Sequence, residues 1–205
     1  MRWLLLSFML FAAQLASALT IIPVSAWGGE PVAITGAPQT IAKLTVHHQG
    51  ETWVDGDDVP AYLRRLQTWS RETKHWADIP YHYVIAPDGR VYAARPEGLA
   101  GDTNTEYDPT GHLLVMLLGN FEEVEPTSKA LASLVELLAV KAYETGLDER
   151  AIASHKDWSK QTVCPGKNLY RYLANGRLYG AVAARIFALK EQSPSASATR
   201  PSPAP

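Results

Sequence analysis

The sequence predicts an α/β fold in which helices cover both faces of one mixed β-sheet. Segments with strand-like and helix-like patterns alternate along the chain, which is typical of this class. Residues 112–119, with the sequence HLLVMLLG, form a continuous apolar run, which is typical of a strand covered on both faces. The pair Asp88-Gly89 lies between two β-rich runs and predicts an antiparallel hairpin within the sheet.

The first residues are typical of a secretory signal peptide. Met1-Arg2 precede a short, largely apolar stretch, and small residues follow at Ala16-Ser17-Ala18. We therefore expect residues 1–18 to be removed on export to the periplasm or to the outside of the cell. The alternative is an uncleaved membrane anchor, although a membrane-spanning helix needs about 20 apolar residues. No other segment is predicted to cross a membrane, so no stable span is expected after cleavage.

Residues 19–190 are expected to form a single domain, because the remaining chain is long enough for one sizeable core. In order, the predicted elements are a leader rich in glycine and proline (19–40), a buried strand (41–47), a helix (59–69), two hairpin strands (81–85 and 90–94), a loop (96–111), the continuously apolar strand (112–119), a helix (128–143), a short strand (151–155) and a terminal helix (169–189).

Capping residues and apolar spacing support the helices. The first helix follows Asp57-Asp58, which supply N-cap chemistry, and the second is capped by Thr127 or Ser128 and ended by Gly146. Residues 191–205 are rich in proline, serine and alanine, so we expect a disordered tail. In the first helix, apolar residues recur at helical spacing, namely Val59, Tyr62, Leu63, Leu66 and Trp69.

Composition limits the kinds of partner. The net charge of −2 becomes more negative by one when Arg2 is removed, which argues against a nucleic-acid partner because such proteins present a basic face. The chain has a single cysteine, so an exported form has no intrachain disulfide to stabilise it. We expect a monomer with a conventional core.

That single cysteine, Cys164, lies nine residues after His155, which ends the short strand. His47 and His48 end the first strand, and strand alternation lets only one of them face a shared site. Two histidines and one thiolate make a three-ligand zinc site with an open fourth position, which is typical of a catalytic zinc. His75, His82 and His112 lack this context and are interpreted as structural.

A second interpretation uses only two of these residues. Cys164 would be the nucleophile of a cysteine hydrolase and His155 its base. This interpretation leaves His47 without a role, and it predicts inhibition by thiol alkylation that survives chelation. The zinc interpretation predicts loss of activity on chelation and its recovery with added metal.

Several segments from about residue 21 to residue 175 together resemble one family: the zinc-dependent N-acetylmuramoyl-L-alanine amidases, type 2, of the bacteriophage-lysozyme and peptidoglycan-recognition-protein kind. Each segment alone is a weak match, and their order along the chain makes the match specific. The segments are IIPVSAWGG (21–29), LTVHH (44–48), IPYHYVI (79–85), DGRVY (88–92), LLGNF (117–121), and HKD (155–157) through CPG (164–166).

The resemblance implies a fold, a reaction and a set of site residues. The fold is a mixed sheet flanked by helices, and the reaction is hydrolysis of the amide between N-acetylmuramic acid and the L-alanine of peptidoglycan. It implies Zn²⁺ on His47 rather than His48, with His155 and Cys164. Tyr81 matches the tyrosine that assists near the reacting water or oxyanion, and Thr162 matches a Lys or Thr position at the reacting oxygen. The partners implied are peptidoglycan or its muropeptide fragments.

Three departures from the family pattern are visible. Met116 occupies the position of a catalytic glutamate in another amidase branch, and Leu99 falls where many relatives carry a histidine. The interval from His155 to Cys164 is one residue longer than in many relatives. A further alternative is a peptidoglycan-binding module without catalysis, but family members that only bind commonly lack the metal cysteine.

Overall fold

The computed structural model describes residues 19–54 and 56–192. The expected signal peptide (1–18) and the expected tail from 193 onward lie outside the described residues. Within those two ranges, no helix has the length and apolarity that crossing a membrane requires.

The sheet has six strands in the order β1-β4-β3-β5-β2-β6. Only the β3–β4 hairpin is antiparallel, and the other neighbouring pairs are parallel, which confirms the predicted mixed sheet. The strands are β1 (Ile21–Ile22), β2 (Lys43–His48), β3 (Tyr83–Ile85), β4 (Val91–Ala93), β5 (His112–Leu117) and β6 (Ile152–Ser154).

The helices begin and end at residues that satisfy their exposed backbone groups. The Asp58 carboxylate accepts a hydrogen bond from Ala61 N at the start of α1, and Thr127 Oγ1 accepts one from Ala130 N at the start of α2. The described part contains α1 (Val59–Glu72), α2 (Ser128–Thr145), α3 (His155–Trp158), α4 (Lys167–Ala174) and α5 (Arg177–Gln192), with 3₁₀ turns at Val24–Trp27 and Glu149–Ala151.

The two faces of the sheet are covered unequally. Strand alternation sends Leu44 and Val46 of β2 to the back face, where α2, α4 and α5 complete the larger core. On the front face, Val84 and Met116 pack against α1 and the Val24–Trp27 turn in a smaller core. α3 covers a further part of this face through Trp158, which donates to Thr45 Oγ1, and the end of β2 near His47 forms the floor of a cleft.

Residues 19–40, predicted to be a leader and assigned no strand or helix, contain a short strand and a 3₁₀ turn. Ile21–Ile22 pair in parallel with β4 as the edge strand, and the buried Trp27 donates a hydrogen bond from Nε1 to Ala93 O at 2.7 Å. The prediction was wrong here because a two-residue strand is too short to produce a periodic pattern.

The predicted terminal helix is two helices. The helix is interrupted at Asn175-Gly176, where Gly176 has a φ of 78°. The following helix, α5, packs against α2. Helix α5 ends at Gln192, so the first two residues of the expected tail (191–205) are helical. Trp69, one of the apolar residues that recur at helical spacing in α1, is 43% exposed. Tyr81, assigned to a strand, precedes β3 by two residues.

Candidate metal centre

The cleft on the front face, here called the metal cleft, has a volume of about 260 Å³. Its floor is the end of β2, and its walls come from three loops. The first loop precedes β3, the second lies within residues 96–111 and the third follows α3. The cleft is lined by His47, His48, Gln49, Trp76, Pro80, Tyr81, Asp102, Thr103, Asn104, Thr105, His155, Thr162 and Cys164.

The two adjacent histidines of β2 have different surroundings. His47 Nδ1 lies 3.6 Å from Cys164 Sγ, and in the described part of the chain its buried Nε2 has no hydrogen-bond partner. His48 Nδ1 accepts a hydrogen bond from Phe121 N at 3.2 Å, and its ring neighbours the Phe121 ring. The structure therefore groups His47, and not His48, with the cysteine.

His155 is brought to the cleft by a tight turn from strand to helix. The Asp157 carboxylate accepts hydrogen bonds from Ser154 N at 2.8 Å and Ser154 Oγ at 2.6 Å, which starts α3 directly after β6. The His155 ring centroid then lies 4.7 Å from that of His47. His155 Nε2 is hydrogen-bonded to Thr105 Oγ1 at 2.8 Å, which leaves Nδ1 for another ligand.

Cys164 reaches the same place because its loop folds back onto α3. Lys156 N donates to Cys164 O at 2.9 Å, and this bond closes the loop. His48 N donates to Cys164 Sγ at 3.3 Å, and Cys164 N donates to Thr162 Oγ1 at 3.0 Å. Ligand atoms of His47, His155 and Cys164 consequently lie within 4.8 Å of one another, and these three residues are called the His-His-Cys group below.

The His-His-Cys group has the donors that a zinc ion needs, and one donor pair has the separation found at a zinc ion. Zinc–sulfur bonds of about 2.3 Å and zinc–nitrogen bonds of about 2.1 Å at a tetrahedral angle separate S and N by about 3.6 Å. The same separation, 3.6 Å, is found between Cys164 Sγ and His47 Nδ1. The residues present therefore fit a zinc ion.

Burial prepares the two imidazoles for this role. It lowers the pKa of His47 well below its usual range, with a further contribution from His155, and it lowers the pKa of His155 to about 4. Both rings are therefore neutral near pH 7 and carry a lone pair. Burial raises the pKa of the Cys164 thiol to about 12, so the thiol binds as a thiolate only where a cation displaces its proton.

Tyr81 and Thr162 both line the metal cleft. The Tyr81 ring centroid is 5.1 Å from that of His47. Burial raises the pKa of Tyr81 well above its usual range, so its hydroxyl stays protonated and can donate a hydrogen bond. The bond from Cys164 N uses an acceptor lone pair of Thr162 Oγ1 and not the hydroxyl hydrogen.

His82 and His112 make structural contacts. His82 Nδ1 accepts a hydrogen bond from Leu114 N at 2.8 Å, and its Nε2 is bonded to Leu99 O at 2.9 Å. His112 Nδ1 is bonded to Thr45 Oγ1 at 2.8 Å. Met116 is buried beside His47 in the register of β2 and β5 and offers no proton-transfer group.

Sequence reasoning interpreted residues 96–111 only as a loop and missed their contacts with the centre. Arg95, directly before this segment, is buried and donates to Ile79 O at 2.8 Å and Asp78 O at 2.7 Å, so it fixes the backbone shortly before Tyr81. Its guanidinium also pairs with Asp102 in the metal cleft. The polar run at 102–106 (DTNTE) was the available signal, but it carries no spacing that distinguishes a wall from a surface loop.

A second cleft of about 190 Å³, called the α1 cleft, adjoins the metal cleft. Tyr62, Leu66 and Trp69 of α1 form one side, and Glu51 lies in its lining. The two clefts share the lining residues Gln49, Trp76, Pro80, Tyr81 and Asn104. The His-His-Cys group therefore has a partly aromatic surface beside it.

The family model for N-acetylmuramoyl-L-alanine amidase matches residues 37–167, more than half of the chain. The chain belongs to this family. The match includes all three residues of the His-His-Cys group as well as Tyr81 and Thr162.

Some curated relatives of this amidase-family chain are named as amidases, and others are named as recognition proteins. Peptidoglycan-recognition protein SD of Drosophila simulans is 28% identical over 179 residues, covering 83% of this chain and 93% of the relative. The human N-acetylmuramoyl-L-alanine amidase is 29% identical over 162 residues, covering 75% of this chain but only 27% of the longer human protein. The relatives therefore include a protein named for recognition and a protein named for cleavage of the amide.

The solved structures confirm the fold. The crystal structure of Drosophila peptidoglycan recognition protein SD matches with a TM-score of 0.66 and 26% identity, covering 76% of this chain and 93% of that one. The N-acetylmuramoyl-L-alanine amidase LysC from Clostridium intestinale matches with a TM-score of 0.62. The predicted single α/β domain with a mixed sheet is thereby confirmed.

Proposed function

We propose that this protein hydrolyses the amide bond between N-acetylmuramic acid and the L-alanine of the peptidoglycan stem peptide, with zinc held by His47, His155 and Cys164. The observation that carries this proposal is the convergence of the three ligand atoms, within 4.8 Å, at the floor of an open cleft. When bound there, zinc would polarise the amide carbonyl and activate a water molecule. Membership of the amidase family supports the choice of bond.

Tyr81 is proposed as the residue that stabilises negative charge on the reacting carbonyl oxygen. Its ring stands beside His47, and its raised pKa keeps the hydroxyl protonated as a donor. A positioned donor of this kind contributes up to about 3–4 kcal/mol of transition-state stabilisation. Thr162 is proposed to contact the same oxygen through its hydroxyl hydrogen, because its acceptor side is held by Cys164 N.

The partners proposed are peptidoglycan or muropeptide fragments. The metal cleft and the α1 cleft together offer a groove rather than a closed pocket, which suits an extended glycopeptide chain. The net charge of −2 speaks against a nucleic-acid partner. We further propose that residues 1–18 direct export to the periplasm or outside of the cell, where the wall lies, and that the protein acts as a monomer.

The cysteine-hydrolase alternative requires a reactive thiolate and a basic partner. Burial raises the pKa of Cys164 to about 12 and lowers that of His155 to about 4, which disfavours a thiolate–imidazolium pair. In addition, His155 Nε2 is already bonded to Thr105 Oγ1. The binding-only alternative predicts the same fold and cleft, but it gives no role to a complete His-His-Cys group.

Digestion of purified muropeptides followed by mass spectrometry tests the proposal. The zinc-loaded protein should release free stem peptide, a chelator should abolish release, and added zinc should restore it. Binding of muropeptides without any release by the zinc-loaded protein would favour a recognition module instead. Activity that survives chelation but not thiol alkylation would favour the cysteine hydrolase.

A further inference from the structure

One four-residue stretch of the long loop, Thr103–Glu106, contacts His155 and the loop between His155 and Cys164, and is called the clip segment here. We propose that the clip segment is a positioning element for the centre: Thr105 sets the tautomer and orientation of His155, and Glu106 anchors the loop that carries Cys164. This inference rests on the proposed zinc site.

The Thr105 hydroxyl determines which nitrogen of His155 faces the centre. Thr105 Oγ1 lies 2.8 Å from His155 Nε2. A neutral imidazole carries one N–H and one lone pair, and a metal takes the nitrogen with the lone pair. With Nε2 donating its hydrogen to Thr105, the lone pair is on Nδ1, which is then the nitrogen available to the His-His-Cys group. Loss of the hydrogen-bond partner of a metal-ligating histidine typically weakens metal affinity by about 10–100-fold.

Thr103 holds Thr105 in place. Thr105 N donates to Thr103 Oγ1 at 3.1 Å, and the two hydroxyl oxygens lie 2.8 Å apart. Because Thr105 Oγ1 accepts from His155, its own hydrogen is available for Thr103 Oγ1. The three polar groups thus form one chain of hydrogen bonds, from the imidazole through both hydroxyls, in which each group donates toward Thr103.

Glu106 acts on the other part of the centre. Its carboxylate accepts from Ser159 Oγ at 2.5 Å and from Lys160 N at 3.0 Å. Ser159 is buried and in turn accepts from Gln161 N at 3.0 Å, so the contact lies midway along the loop between the two ligands. An anchor at this point restricts the movement of the loop and so helps to hold Cys164 at a defined distance from His155.

Zinc dissociation constants, measured by competition with a chelator of known affinity, test the role of Thr105. Thr105→Val removes the hydroxyl at nearly constant volume and should weaken zinc binding by about 10–100-fold. Thr105→Ser keeps the hydroxyl and should restore affinity to within about threefold of the wild type. Thr68→Val, an exposed threonine of α1 outside the metal cleft, is the matched control and should leave affinity unchanged. Equal affinities of Thr105→Val and the wild type would overturn the inference.

A measurement on the wild type keeps the inference testable if Thr105→Val does not fold. ¹⁵N NMR of the zinc-loaded protein should show a hydrogen on His155 Nε2 and none on Nδ1, and the opposite tautomer would overturn the role of Thr105. Failure of the wild type to bind zinc at all would refute the proposed metal site. Zinc binding with an unaffected Thr105→Val would refute only the positioning role.

Amide hydrogen exchange tests the role of Glu106. Glu106→Gln weakens the acceptor for Ser159 and Lys160, and exchange across residues 159–164 should become about tenfold faster, as expected for loss of one hydrogen bond to a charged group. The exposed Glu72→Gln on α1 is the control and should leave this exchange unchanged. Unchanged exchange in Glu106→Gln would overturn the anchoring role.

Discussion

Replacement of Gly166 by alanine should destabilise the protein severely, because the Cys164 loop packs there against another backbone segment. Gly166 has a φ of 84° and a ψ of 146°, a conformation that residues with a side chain rarely adopt. An added Cβ would lie 2.4 Å from the Phe121 carbonyl carbon and 2.7 Å from Glu122 N. Both neighbours are backbone atoms, so no change of rotamer relieves the clash.

The magnitude follows from these two costs. A backbone conformation of this kind costs about 1–3 kcal/mol for a residue other than glycine, and overpacking costs about another 1–3 kcal/mol. We therefore expect a loss in the free energy of unfolding on the order of 4 kcal/mol. For a domain of this size, 1 kcal/mol corresponds to about 2–4 °C, so Tm should fall by about 8–16 °C. Because Cys164 lies two residues earlier, zinc affinity should fall as well.

Thermal and denaturant unfolding of metal-free protein measure this effect, and two other glycines provide matched controls. Gly176 has a φ of 78° but nothing within 4 Å of an added Cβ, so Gly176→Ala should cost only about 1–2 kcal/mol. Gly180 is exposed within α5 and has open space around it, so Gly180→Ala should stabilise the protein by about 0.5–1 kcal/mol. A Gly166→Ala variant that is no less stable than Gly176→Ala would refute the argument from the backbone contact.

Four further predictions follow from the centre and the chain ends. Cys164→Ser should lose bound zinc and nearly all activity, and metal analysis showing full occupancy would contradict the ligand assignment. Tyr81→Phe should keep its fold and zinc but hydrolyse muropeptides about 100-fold more slowly, and a normal rate would exclude the hydroxyl from catalysis. N-terminal sequencing of exported protein should begin at Leu19, whereas a product that still starts at Met1 would support an anchor. Truncation before Ser193 should leave turnover unchanged, and a large loss would show that the tail contributes to the domain.

Local signals predicted much of the fold correctly. The second helix was placed by its Thr127 cap and its Gly146 end, because these residues act on the backbone next to them. The continuous apolar run at 112–119 was assigned to a covered strand, and β5 is buried along its whole length. The split of the terminal helix was also signalled locally, by Asn175-Gly176, but that signal was missed.

Residue types and their order in the sequence also predicted the residues of the candidate site. One cysteine, two histidines at predicted strand ends and the resemblance to the amidase family were sufficient to nominate His47, His155 and Cys164. The structure places these residues together. Strand alternation explained why only one of the adjacent histidines could join them, but not which one.

Only the tertiary structure decided how the surroundings of the centre are arranged. The contacts of Thr105 with His155 and of Glu106 with Ser159 join residues about fifty positions apart and leave no periodic trace in the sequence. The exposure of Trp69 and the cleft on the front face depend on how the helices and loops pack across the sheet. Helix caps and hydrophobic periodicity depend only on a residue and its neighbours within a few positions. A wall of the cleft forms only after distant segments pack against each other. The residues of that wall are determined by shape and hydrogen bonding in the folded protein.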